Sequence, residues 1–198
     1  WVSVRAYDML GNLTTGLDLF EVRKDTTPPG VTDLQAGDAA WRNAGGTLYN
    51  VDFQDFSSLL SSAAYTIYTS TGLTGTNLKP WTLIFSSSSG LSPYTTDWGV
   101  DFAALLETAT NYVSVRAWDV AGSSATVADA FFVLKDTTLP TVTDNQPGET
   151  FWRNVNTGSY NVDFGDTAGG ALLSHFQTKV FAGPLQTGAT VEDWTTVA

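Results

Sequence analysis

Apolar and polar side chains alternate between residues 47 and 53, with Tyr49, Val51 and Phe53 on one face of an extended chain and Asn50 and Asp52 on the other. A period of two predicts a strand with one buried face. Residues 112–119 obey the same rule, setting Val113, Val115 and Ala117 against Ser114 and Arg116. Further strands are expected over 63–70, 80–86, 94–102 and 126–135. Runs of Gly, Ser and Thr at 70–77 and 86–93 read as loops between them. Only FAALLETAT, residues 102–110, looks helical, and it predicts a turn or two crossing between sheets. About seven short strands in roughly 110 residues, separated by turn residues, describe an all-β chain folded as a β-sandwich.

The pattern also returns on itself. Sliding the chain by 111 positions aligns residues 1–55 with 112–166 without a gap, and about half the positions are identical. WVSVRAYD (1–8) falls on YVSVRAWD (112–119), WRN (41–43) on WRN (152–154), and YNVDFQD (49–55) on YNVDFGD (160–166). Further on, a shift of two more residues brings Trp81 opposite Trp194. This period is too long for a solenoid and right for a small β-domain. The strings KDTTPP (24–29) and KDTTLP (135–140) mark the handovers. Residues 1–25 are then the closing hairpin of one copy, 26–136 a whole copy, and 137–198 the opening part of a third. Fixed proline φ and β-branched threonine make the joint short, extended and stiff.

YVSVRAWDVAGS, then a strand, then KDTTLP resembles the closing hairpin and linker of bacterial immunoglobulin-like and fibronectin-III-like repeats. YDMLGN (7–12) fits that hairpin turn more closely than WDVAGS (118–123). The family usually carries Tyr two residues before the first inward Val; Asn111 stands there, with Tyr112 beside it, so no standard tyrosine corner is expected. The resemblance implies tandem immunoglobulin-like sandwiches in a large extracellular or cell-surface protein of bacterial type, an adhesin, stalk or filament. It implies neighbouring repeats, and other copies in a filament, as partners, and specifies no ligand.

Charge narrows the partners. Twenty Asp and Glu against nine Lys and Arg give a net charge of −11, a surface that repels phosphate backbones and anionic lipid, so no nucleic acid is expected. The apolar runs are far shorter than the roughly 20 residues a helical span needs, and direct membrane insertion is not expected. With no cysteine, disulfides and thiolate metal sites are excluded. No nucleophile elbow, zinc helix, phosphate-binding glycine loop or EF-hand loop occurs. The lone imidazole, His175, stands opposite Ala64 in the preceding copy, so it is not the chemistry of the repeat. An enzyme is not expected.

Three candidate sites remain. In a sandwich of this topology the incoming linker, the loop after the second strand and the last hairpin turn share one pole, which gathers Asp25, Asp55 and Asp119. Asp136 and Asp166 repeat the first two. Converging carboxylates suit calcium, which takes about 6–8 oxygen ligands in irregular geometry; the competing reading is that each Asp closes its own turn. No other cofactor is expected. Secondly, LFEVRK (19–24) becomes AFFVLK (130–135), placing Phe132 and Leu134 where the sibling carries Glu21 and Arg23. That change predicts a contact face or a local repacking. Thirdly, the recurring Trp41 and Trp152, with Trp81 and Trp194, could form a carbohydrate platform, against the competing demand of a sandwich core for large aromatics. The flanks 1–25 and 137–198 are expected to be protease-labile, completed by more of the same polypeptide or by a neighbouring subunit.

Overall fold

The computed structural model describes residues 1–35, 39–146, 152–155 and 158–197. In chain order its strands are β1 (Val2–Tyr7), β2 (Leu13–Phe20), β3 (Gly30–Asp33), β4 (Trp41–Arg42), β5 (Val51–Gln54), β6 (Leu60–Ser70) and β7 (Thr74–Leu91). There follow β8 (Ala109–Asp119), β9 (Ser124–Lys135), β10 (Thr141–Asp144), β11 (Val162–Gly165), β12 (Phe176–Phe181) and β13 (Thr190–Val197). Apart from one 3-10 turn at Phe102–Ala104, the described secondary structure is all β. The expected crossing segment is therefore a single turn.

Two layers enclose the core. One is the sheet β4-β9-β8-β6-β7, in which only the β4–β9 pair is parallel. The other is the antiparallel pair β3–β5, widened by bridges from Tyr49 to Trp98 and from Phe53 to Tyr94. Tyr49, Val51 and Phe53 point into this space and are buried, as the alternation requires. Facing them are Tyr65, Ile67, Val113, Val115, Phe131 and Val133, all buried. Tyr49 stacks on Phe131 with ring centroids 4.4 Å apart, and Tyr65 on Trp98 at 5.4 Å. Each such side chain contributes about 1.5–3 kcal/mol through lost apolar exposure.

Three expected boundaries are corrected. The loop expected over 70–77 is a turn at 71–73, because β7 starts at Thr74, which pairs with Ser70 across the turn. Residues 86–93 do not form a loop, because β7 runs on to Leu91 and pairs there with Leu60. Serines have no pattern of their own here, and the long partner strand β6 extends the ladder past them. Residues 94–102 do not form a regular strand. The indole Nε1 of Trp98 donates to the Val51 carbonyl at 3.4 Å, so a side chain takes the acceptor between the two bridges.

The flanking segments repeat the pairings of the centre. β10–β11 pairs Thr141 with Gly165, as β3–β5 pairs Gly30 with Gln54, an offset of 111. β12–β13 pairs Thr178 with Thr195 and Val180 with Glu192, as β6–β7 pairs Tyr65 with Thr82 and Ile67 with Lys79, an offset of 113. Two extra residues therefore enter between Gly165 and Phe176. The hairpin β1–β2 reproduces β8–β9 down to its irregularity. Asp18 and Asp129 take φ of 49° and 51°, and their N–H groups donate to the hydroxyls of Ser3 and Ser114. What differs is cover. Val4, Phe20 and Val22 are exposed where Val115, Phe131 and Val133 are buried, and Leu173 and Val180 are exposed where Leu60 and Ile67 are buried.

Candidate metal centre

Asp25, Asp55 and Asp119 meet at one pole, each offering a carboxylate oxygen within 4.8 Å of the other two. Their positions come from three local devices. Asp55 follows the last residue of β5; its N–H donates to the Ser92 hydroxyl, and its Oδ1 accepts the N–H groups of Ser57, Ser58 and Leu59. That clasp folds the loop back beneath the linker. Asp25 lies in the linker, where Oδ1 takes the Thr27 N–H at 2.9 Å and Oδ2 the Ser58 N–H at 3.1 Å. Asp119 closes β8, and its Oδ1 takes the Ser123 N–H at 2.7 Å across the hairpin turn.

Turn closure thus explains one oxygen of Asp119 and leaves the other unexplained. Asp119 is only 2 % exposed, and its Oδ2 is buried with no hydrogen-bond partner. A buried bare carboxylate oxygen costs about 1–3 kcal/mol or more. Proximity adds to this cost, since like charges gathered within 4.8 Å repel one another. A divalent cation removes both costs together. All the donors are hard oxygens, which selects calcium or magnesium over softer metals. A cleft of about 350 Å³ opens beside the carboxylates, lined by Asp25, Ser58 and Leu59 with Lys24 and Arg23 at its rim.

The second acidic set is half built. Asp136 repeats Asp25: Oδ1 accepts the Thr138 N–H at 3.0 Å and Oδ2 the Ala171 N–H at 2.7 Å. The Thr138 hydroxyl, the Ala171 N–H and the Thr138 N–H hold its carboxyl below the usual carboxylate range. Asp166 accepts the adjacent Thr167 N–H. Among the described residues neither Asp136 nor Asp166 belongs to a cluster of three acidic or histidine side chains.

The other candidates fall elsewhere. Trp41 is half-buried and pairs through its backbone with Leu134 as β4 lines the edge of β9. Leu134 and Phe132 are themselves half-buried, Phe132 opposite Tyr112 on β8. Trp152 is fully exposed. Trp81 does not enter the core; the Arg116 guanidinium lies over one face of its ring, 4.6 Å from the centre, and 5.6 Å from that of Trp118. Lys179 stands similarly at 5.9 Å from Trp194. His175 is exposed and bonds to Ser174. The residue whose structural role the sequence did not show is Asn111. It is wholly buried, accepts the Leu106 N–H, and donates to the carbonyls of Leu106, Ala109 and Val133. Its position two residues before the first inward Val was the available signal.

No protein-family model matches this chain, and no curated protein matches it. Among the described residues no helix is long and apolar enough to cross a membrane.

Proposed function

We propose that this chain is a length of tandem immunoglobulin-like repeat that serves as a spacer or stalk in an extracellular surface protein, with the joint at Asp25 stiffened by calcium. The observation that carries the reading is the repeated joint. At both handovers the linker aspartate takes an N–H from the loop after the second strand of the next copy, Ser58 to Asp25 and Ala171 to Asp136. Both linkers also close on themselves through Thr27 and Thr138. These two backbone bonds shape each linker and anchor it to the copy that follows. A cation held by Asp25, Asp55 and Asp119 ties the linker, the β5–β6 loop and the β8–β9 turn into one unit.

Pulling the chain between its ends by force spectroscopy tests the spacer reading. Residues 26–136 should yield in one discrete step, releasing on the order of 350 Å at about 3.3–3.6 Å per residue. Gradual extension with no such step would overturn it. Titration calorimetry with calcium tests the centre: heat at one site per chain supports it, and none removes calcium from the proposal.

A further inference from the structure

The hairpin turns at Asp8 and Asp119 share the two backbone bonds that close them, and among their differences is the residue four positions on, Asn12 in one and Ser123 in the other. In the first, the Asp8 N–H donates to the Asn12 carbonyl at 3.0 Å and the Gly11 N–H to the Asp8 carbonyl at 3.1 Å. In the second, the Asp119 N–H donates to the Ser123 carbonyl at 3.0 Å and the Gly122 N–H to the Asp119 carbonyl at 3.4 Å. In both, the backbone N–H of the fifth residue donates to Oδ1, at 2.8 Å from Asn12 and 2.7 Å from Ser123. Only Asn12 reaches further. Its Nδ2 donates to Asp8 Oδ2 at 2.6 Å, so that both oxygens of this carboxylate have a partner. Ser123 is a side chain too short to do this, and Asp119 Oδ2 stays bare.

From this difference we infer that the residue four positions after the hairpin aspartate decides which copies of the repeat hold calcium. Asparagine there closes the carboxylate with its own amide, and serine leaves Oδ2 open to the ion. The inference rests on the reading of Asp25, Asp55 and Asp119 as a calcium centre and adds the device that opens it. The physical cause is competition. A cation that is to use Asp8 Oδ2 must first displace a short bond to a carboxylate, whereas Asp119 Oδ2 offers itself with nothing to displace. The Asn12 amide is also the foremost of the contacts that hold the Asp8 carboxyl below its ordinary range. An array with mixed turns would then have calcium-stiffened and calcium-indifferent joints in an order written into its sequence.

The test is calcium titration calorimetry on the 198-residue chain and on two variants, Ser123→Asn and Ser123→Ala. The turn accepts asparagine without strain, since Gly11-Asn12 has the same backbone as Gly122-Ser123, and melting curves in chelator confirm that each variant folds. Ser123→Asn should weaken calcium binding about 10–100-fold, the range for altered contacts around a metal ligand, while Ser123→Ala should bind as the unaltered chain does. Equal binding by Ser123→Asn overturns the inference and leaves the centre standing. Equal loss in Ser123→Ala also overturns it, because the serine hydroxyl would then be a ligand. No binding by the unaltered chain overturns the centre and the inference with it.

Discussion

The side chain of Asn111 accepts the N–H of Leu106 at 2.8 Å and returns a bond from Nδ2 to the Leu106 carbonyl at 3.1 Å. This reciprocal pair, with further bonds to the Ala109 and Val133 carbonyls, pins the crossing segment to the base of β8 and β9. Asn111→Ala leaves one N–H and three carbonyls without those partners in a buried place. It should cost about 2–4 kcal/mol in denaturant unfolding, the penalty for stranding buried polar groups. A cost under about 0.5 kcal/mol would show that water or backbone movement replaces the amide.

Phe53 and Phe164 occupy matching places in β5 and β11, but Phe53 is 0 % exposed and Phe164 only half-buried, stacked on Phe176 at 4.3 Å. Phe53→Ala should destabilise the central unit by about 3–5 kcal/mol through the cavity it leaves. Phe164→Ala should leave that transition within about 1 kcal/mol, since its surroundings are open and collapse readily. Comparable losses from both would mean that residues 137–198 unfold together with the centre.

The period-two signal made Tyr49, Val51 and Phe53 legible, because burial on one face is the only way such a strand satisfies its side chains. It failed at 86–91, where serines carry no face preference and the backbone of β6 decides the pairing. It failed again at 94–102, where the Trp98 indole takes the Val51 carbonyl, a competition set by three-dimensional proximity. The acidic pole was legible from topology, since the linker, loop and turn at Asp25, Asp55 and Asp119 share one end of the sandwich. The bare oxygen of Asp119 was not, because it depends on what Ser123 fails to reach.

The second joint carries a pH signature. The Thr137 hydroxyl, foremost, and its N–H hold Glu107 below the usual carboxylate range, and Asp136 is held down chiefly by the Thr138 hydroxyl and the Ala171 N–H. Groups with depressed folded values contribute fully above the unfolded values of about 3.9–4.3 and lose that contribution as pH falls through the folded ones. Hydrogen-exchange protection at Thr137, Thr138 and Ala171 should therefore hold from pH 7 to about 4.5 and fall below about 4, ahead of the core amides. Unchanged protection near pH 3 would show that the backbone docks without these carboxylates.

Asp119→Asn should act in opposite directions with and without calcium. The substitution keeps the acceptor for the Ser123 N–H and turns the bare Oδ2 into an N–H donor, in a side chain that has one oxygen of Asp25 and one of Asp55 within 4.8 Å of its own carboxylate. In chelator this removes a buried charge and its repulsion, so the variant should melt at or above the unaltered chain. In calcium the order should reverse, because binding to the folded state stabilises by an amount that grows with ligand over Kd, about 2.7 kcal/mol at a hundredfold excess, and the variant lacks one of the three charges. Paired melting curves in millimolar calcium and in chelator read both signs on the same two proteins. A variant that is less stable in both conditions would mean that Asp119 serves the turn alone, and that its bare oxygen is tolerated without an ion.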